Sequence, residues 1–93
     1  MQDFYLYILK CNDNSFYIGH TDDIEKRLSE HNLGLYENYT STRRPLTLIH
    51  TTLFPTRHEA ILAEKKLKRW TRAKKEAFIK QDWALLSKLS KRK

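Results

Sequence analysis

Cysteine is nearly absent: the 93 residues contain one, Cys11. A lone thiol closes no internal disulfide and makes no zinc site. Glycine and proline number two each, too few for low-complexity disorder or collagen-like repeats. No run of about 18 apolar residues occurs, so no transmembrane helix is expected. Met1-Gln2-Asp3 carries neither the basic start nor the apolar stretch of a signal peptide. These absences lead us to expect a reduced, cytoplasmic protein. Acidic residues are also in deficit. Lys and Arg total 18 against 11 Asp and Glu, a formal charge of +7, with a pI near 9.7 and a mean hydropathy of −0.73. A chain this short has room for a single domain, residues 1–93, with one modest core.

The positive charge is unevenly placed. Residues 1–63 carry six basic and eight acidic side chains, net −2; residues 64–93 carry twelve basic and three acidic, net +9. A block this basic suggests a polyanion partner such as DNA, RNA or an anionic membrane. A solvated helix face with a frayed end accounts for the charge equally well. From about residue 88 the chain reads as a loose basic tail.

The periodicity predicts seven elements. Phe4 to Lys10 alternates aromatic and aliphatic side chains as a strand does. Asn12-Asp13-Asn14 is a turn signal, and Ser15 to His20 a second strand, so residues 4–20 read as a hairpin. Asp22 with Glu25 forms a capping-box pattern. Ile24, Leu28 and His31 then mark one face of a helix to about Asn32, with Gly34 as its expected terminator. Residues 35–44 read as a long irregular loop, of a length that tends to be functional. Pro45 to Phe54 is a third strand. Thr56 with Glu59 opens a helix to about Trp70, Thr71 caps another to about Lys80, and Asp82 a last one from Trp83 to Leu89. The order ββαβααα predicts an α+β domain: a small three-stranded sheet flanked by helices.

Several residues look out of place in that scheme. Glu64 falls inside the apolar stripe Ala60, Ile61, Ala63, Leu67, where a carboxylate is costly unless paired or bound to a metal. A simple i, i+4 pair with Lys68 also explains it. Arg27 and His31 lie side by side on the first helix, a poor structural pair but a good phosphate clamp. A His in such a place is commonly structural. Tyr5 and Tyr7 share one face of their strand, opposite Leu6 and Ile8. Gly19, inside a six-residue strand, marks a bulge or a close backbone approach. Tyrosines, an Arg, a His and a Glu on separate elements suit metal-assisted phosphodiester hydrolysis.

The run Tyr5-Leu6-Tyr7, then Tyr17-Ile18-Gly19, Arg27, His31-Asn32 and Glu64 resembles the GIY-YIG endonuclease superfamily, in particular its small single-domain bacterial members. The string FYIGHTDDIEKRLSEHN is the most specific part; YTSTRRPLTLI and FPTRHEAILAEKKLKRW are also similar. The resemblance implies that Tyr7 and Tyr17 line an active site and that Gly19 is packed closely there. It implies further that Arg27 contacts the scissile phosphate, His31 shares in proton transfer, and Glu64 holds a single divalent ion, Mg²⁺ or Mn²⁺. The first triplet departs from the family, with Tyr5-Leu6 in place of Gly and Ile. An Asn that some members carry after the metal glutamate has no clear counterpart.

The implied activity is a metal-dependent endonuclease on DNA, structure-directed rather than sequence-specific, acting in repair or recombination near the nucleoid. Arg43, Arg44, Lys65, Lys68, Arg69 and Arg72 would grip the nucleic-acid backbone, in salt-sensitive fashion. A partner protein could supply specificity. Two other readings stay open: a catalytically weak nucleic-acid-binding module, and a membrane-surface protein, the latter disfavoured by the shortness of the last helix.

Overall fold

The computed structural model describes residues 3–35 and 39–91. The elements follow the expected order: β1 (Phe4–Lys10), β2 (Phe16–Thr21), α1 (Ile24–Asn32), β3 (Thr47–Phe54), α2 (Arg57–Lys68), α3 (Arg72–Ile79) and α4 (Trp83–Ser90). One sheet of order β2-β1-β3 forms, with both outer strands antiparallel to β1. The central strand is buried from Leu6 to Leu9 without a break. Both of its faces are therefore covered. Successive side chains point to opposite faces. Leu6 and Ile8 join Ile18 and Leu67, backed by Ala63, Phe78 and Ile79 from α2 and α3. Tyr7 and Leu9 join Cys11 and Leu46, backed by Ile24 and Leu28 of α1. Burying each of the large aliphatic side chains contributes roughly 1.5–3 kcal/mol.

The ends of the elements follow from local chemistry. In the hairpin turn Asn14 takes a left-handed φ of 68°, a conformation Asn tolerates. Asp13 Oδ1 accepts from the Ser15 amide at 3.0 Å. The cap of α1 is Asp23, not Asp22: its Oδ1 accepts from the Lys26 amide at 3.1 Å. Thr21 decides between the two acids, because its hydroxyl accepts from the Asp23 amide at 3.1 Å and holds that residue extended. Gly34, at φ +73°, closes the helix. Its amide donates to His31 O and that of Leu35 to Glu30 O, both at 3.1 Å, the paired bonds of a Schellman ending. Thr56, Thr71 and Asp82 cap α2, α3 and α4 as expected. Helix α2 ends at Lys68, short of Trp70, and α4 is helical through Ser90, past the residue 88 at which the sequence predicts a tail. Arg92 and Lys93 lie outside the described residues, as do Tyr36, Glu37 and Asn38 of the long loop.

The rest of that loop is moored at several points. The Asn12 amide donates to Arg43 O at 2.9 Å. Arg43 Nε donates to Asp13 Oδ2 at 3.0 Å. Asn12 Nδ2 donates to Arg44 O at 2.8 Å, and Arg44 Nη1 to Asn32 O at 3.2 Å. Asn32 in turn pairs both backbone groups of Leu46.

Candidate active site

Tyr7 stands at the centre of a buried polar group. It faces Gly19 across the β1–β2 ladder. A Cβ at that position would lie 2.6 Å from Tyr7 Cζ. The missing side chain is thus what lets the phenol ring lie over β2. The ring is 2% exposed. Its hydroxyl is 3.0 Å from His31 Nε2, and His31 Nδ1 is 2.9 Å from Thr40 Oγ1. His31 and Thr40 are 1% and 0% exposed. The charge of Arg27, one turn before His31 on α1, is also felt at the phenol and favours its ionised form.

Two proton arrangements satisfy these contacts. With His31 protonated on Nδ1, the phenol O–H donates to Nε2 and Nδ1–H to Thr40; with the proton on Nε2, His31 donates to the phenol oxygen and the Thr40 hydroxyl donates to Nδ1. Each group has its partner, and among the described residues no buried side-chain nitrogen or oxygen lacks one. Tyr17 packs edge-on against His31, with centroids 5.1 Å apart, and lies 6.4 Å from the Tyr7 ring.

The surroundings polarise this group in opposite directions. Burial pushes the Tyr7 phenol well above its ordinary value; Tyr17 and Glu64 add to the rise while Arg27 opposes it. Burial also lowers the His31 imidazole, and the Arg27 charge lowers it further against a smaller opposing pull from Glu30. The resting site is therefore a neutral phenol bonded to a neutral imidazole.

Glu64 comes from the other side of the sheet, on the face of α2 that carries Ala60 and Leu67. It is 17% exposed. Oε1 accepts from His20 Nδ1 at 2.7 Å, and Oε2 pairs with Lys68 Nζ at 3.0 Å. Burial alone would raise this carboxyl, but the bonds and charges of His20 and Lys68 outweigh it and leave Glu64 below its ordinary value. Lys68 links the two halves. Its Nζ is also 5.8 Å from the centre of the Tyr17 ring.

Tyr7, Tyr17 and His31 thus form one contact group beside Gly19, Arg27 lies one turn before His31 on α1, and Glu64 is linked to the group through Lys68. Two members of the site are not among the residues the sequence singles out: His20, the second partner of Glu64, and Thr40. Among the described residues no cluster of three or more His, Cys, Asp or Glu could cage a metal. The donor set is one carboxylate. That suits a hard, largely hydrated ion which takes its remaining oxygens from water and a phosphate, as Mg²⁺ does. Such an ion would share or displace the donors now on Glu64.

The basic residues fall into separate places. Lys68 lies on the Glu64 face of α2. Lys65 and Arg69, each one residue and so about 100° further round, line a different hollow of about 410 Å³ with Leu62, Lys66 and Trp70. Arg72 stacks over Phe16 at 4.2 Å and donates to Asn14 O at 2.7 Å. Arg43 and Arg44 are engaged in mooring their own loop.

The chain is similar to several known proteins. The model of the GIY-YIG catalytic domain matches residues 3–77. A UPF0213 protein of Bacillus velezensis is 48% identical over 83% of this chain and 78% of its own length. The UPF0213 protein YazA of Bacillus subtilis is 46% identical over 83% of this chain and 78% of its own. The solution NMR structure of the UPF0213 protein BH0048 from Bacillus halodurans superposes with a TM-score of 0.57 at 35% identity, covering 97% of this chain and 99% of that one. With the family model spanning most of its length and relatives this similar, the chain belongs to the GIY-YIG family, a family of nucleases.

Proposed function

We propose that this protein is a metal-dependent endonuclease that hydrolyses phosphodiester bonds in DNA, directed by structure rather than sequence, in repair or recombination. The observation that carries the reading is the buried chain Tyr7–His31–Thr40, with Tyr17 packed on His31 and Lys68, the partner of Glu64, over the Tyr17 ring. Glu64 would hold the Mg²⁺ or Mn²⁺, whose chemistry is to polarise a phosphate oxygen. Arg27 stabilises the charge that develops on the phosphate. Tyr7 takes the proton of the attacking water as its own proton passes to His31 Nε2. This relay never requires a free phenolate, which burial opposes. His31, kept neutral by its surroundings, is available to accept. A position near the nucleoid and a partner protein that supplies specificity belong to the same reading.

The test is cleavage of branched and flapped DNA with Mg²⁺ or Mn²⁺. Glu64→Ala should abolish cleavage and leave DNA binding largely intact; cleavage that survives in this variant removes the metal assignment. Arg27→Ala should slow the reaction on the order of 10²–10³-fold. One observation favours a binding-only module instead: both oxygens of Glu64 already have protein donors. A divalent-metal titration followed by thermal shift separates the two. Tight DNA binding without any metal response supports the module.

A further inference from the structure

Beside the catalytic group lies a second feature that the mechanism leaves unused. A cleft of about 220 Å³ is lined by Phe16, Tyr17, Ile18, Tyr39, Lys68 and Lys75. Its aromatic walls are ordered. The Tyr17 and Tyr39 rings are within 25° of parallel with centroids 6.5 Å apart. Two lysines, Lys68 and Lys75, line the cleft, Lys68 with its Nζ 5.8 Å from the centre of the Tyr17 ring; the wall rings Tyr39 and Phe16 also carry the Arg43 and Arg72 guanidiniums at 3.8 and 4.2 Å. No carboxylate is among its lining residues.

Aromatic walls with a positive rim suit a flat heteroaromatic ring that carries an anion. A nucleotide has that form: the base stacks on the rings while its phosphates meet the cations. A base inside an intact duplex already has both faces stacked, so only an unpaired base can enter. Tyr17 forms the shared wall, with the cleft on one side and His31 and Tyr7 on the other. A base lodged there has its own phosphate next to the catalytic group.

We infer that this cleft receives one unpaired nucleobase of the bound strand, stacked against Tyr17 and Tyr39, with Lys68 and Lys75 on the flanking phosphates. The inference rests on the nuclease reading above and sharpens it. The site requires an unpaired nucleotide next to the bond it cuts, which flaps, forks and bulges supply and a matched duplex does not.

The experiment uses the full chain and DNA oligonucleotides carrying one 2-aminopurine, in three forms: unpaired, paired in a matched duplex, and unpaired with that base removed to leave an abasic site. Stacking should quench the unpaired probe on binding and leave the paired one unchanged. Removing the base should weaken binding roughly 5- to 100-fold, the range that stacking one base supplies. Tyr39→Ala should weaken binding of the unpaired probe by a similar factor and leave the abasic oligonucleotide unaffected. Tyr39→Phe, which keeps the ring, should behave as the parent and so controls for folding.

Equal affinity for the abasic and intact strands, with no quenching, overturns the inference. Metal-dependent cleavage is read on the same samples. Cleavage without any base effect defeats the cleft and leaves the nuclease standing. Base-dependent binding without cleavage does the opposite.

Discussion

Replacing Gly19 by Ala adds one methyl group and should disable both the fold and the site. Gly19 does not adopt a left-handed backbone conformation, so Ala meets no obstacle in the main chain there. The obstacle is Tyr7, whose Cζ would lie 2.6 Å from the new Cβ. The ring is rigid and buried, so it must slide away from β2. Overpacking of this kind costs roughly 1–3 kcal/mol. The displaced hydroxyl also leaves His31 Nε2, now 3.0 Å away, and a buried group left without its partner adds roughly 1–3 kcal/mol. A total of about 2–6 kcal/mol is large beside the roughly 5–15 kcal/mol that holds a typical domain folded. At about 4–8 °C per kcal/mol for a domain of this size, the midpoint of thermal unfolding should fall by at least roughly 10 °C.

The measurement that isolates the cause is a double-mutant cycle with Tyr7→Leu. A shorter side chain leaves the space open, so Gly19→Ala should cost almost nothing in that background. The coupling should then exceed about 1 kcal/mol. Equal destabilisation in both backgrounds would refute the argument that the glycine exists to admit the phenol ring.

Two further outcomes follow from the buried chain. Thr40→Val keeps the volume but removes the hydroxyl partner of His31 Nδ1, and should cost roughly 1–3 kcal/mol in thermal unfolding; Thr40→Ser should restore both stability and the cleavage rate, and a Val variant equal to the parent would show that Thr40 plays no part. Stability should decline as pH falls below 6.5, because His31 and His50 both lie under that ordinary value in the folded protein. The unfolded chain then binds protons more readily, so the contribution is complete above 6.5 and lost as pH drops through the folded values. Cleavage should fade as pH falls through the folded value of His31, since protonated His31 cannot accept from Tyr7; a rate that stays constant while the His31 imidazole protonates, followed by NMR on the same protein, would contradict the relay.

Much of this was legible from pattern because the signals are local. The 2-residue and 3.6-residue periods marked seven elements in the correct order, and three of four helix caps were read at the correct residue. The fourth differs because Glu25 three residues after Asp22 has capping-box spacing, while the cap forms at Asp23. A threonine hydroxyl just upstream, in a geometry that only the folded chain shows, selects between them. Glu64 was recognised as anomalous, and its pair with Lys68 was foreseen. His20 was passed over although strand alternation puts it on the same face as Ile18, toward α2, where a carboxylate in an apolar stripe needs a partner. Thr40 carried no such sign. It sits in irregular chain, and its bond to His31 depends on how that segment folds back. The separation of Lys65 and Arg69 from Lys68 was available from the helical angle alone.

The mooring of the segment that bears Tyr39 and Thr40 has a wider consequence. Arg43 ties it to Asp13 in the hairpin turn, and Arg44 ties it to the last turn of α1. One wall of the aromatic cleft and the hydroxyl bonded to His31 therefore ride on the same short stretch of chain. Under the proposed function, slackening the Asp13 anchor at its exposed turn would disturb the grip on a base and the setting of His31 together.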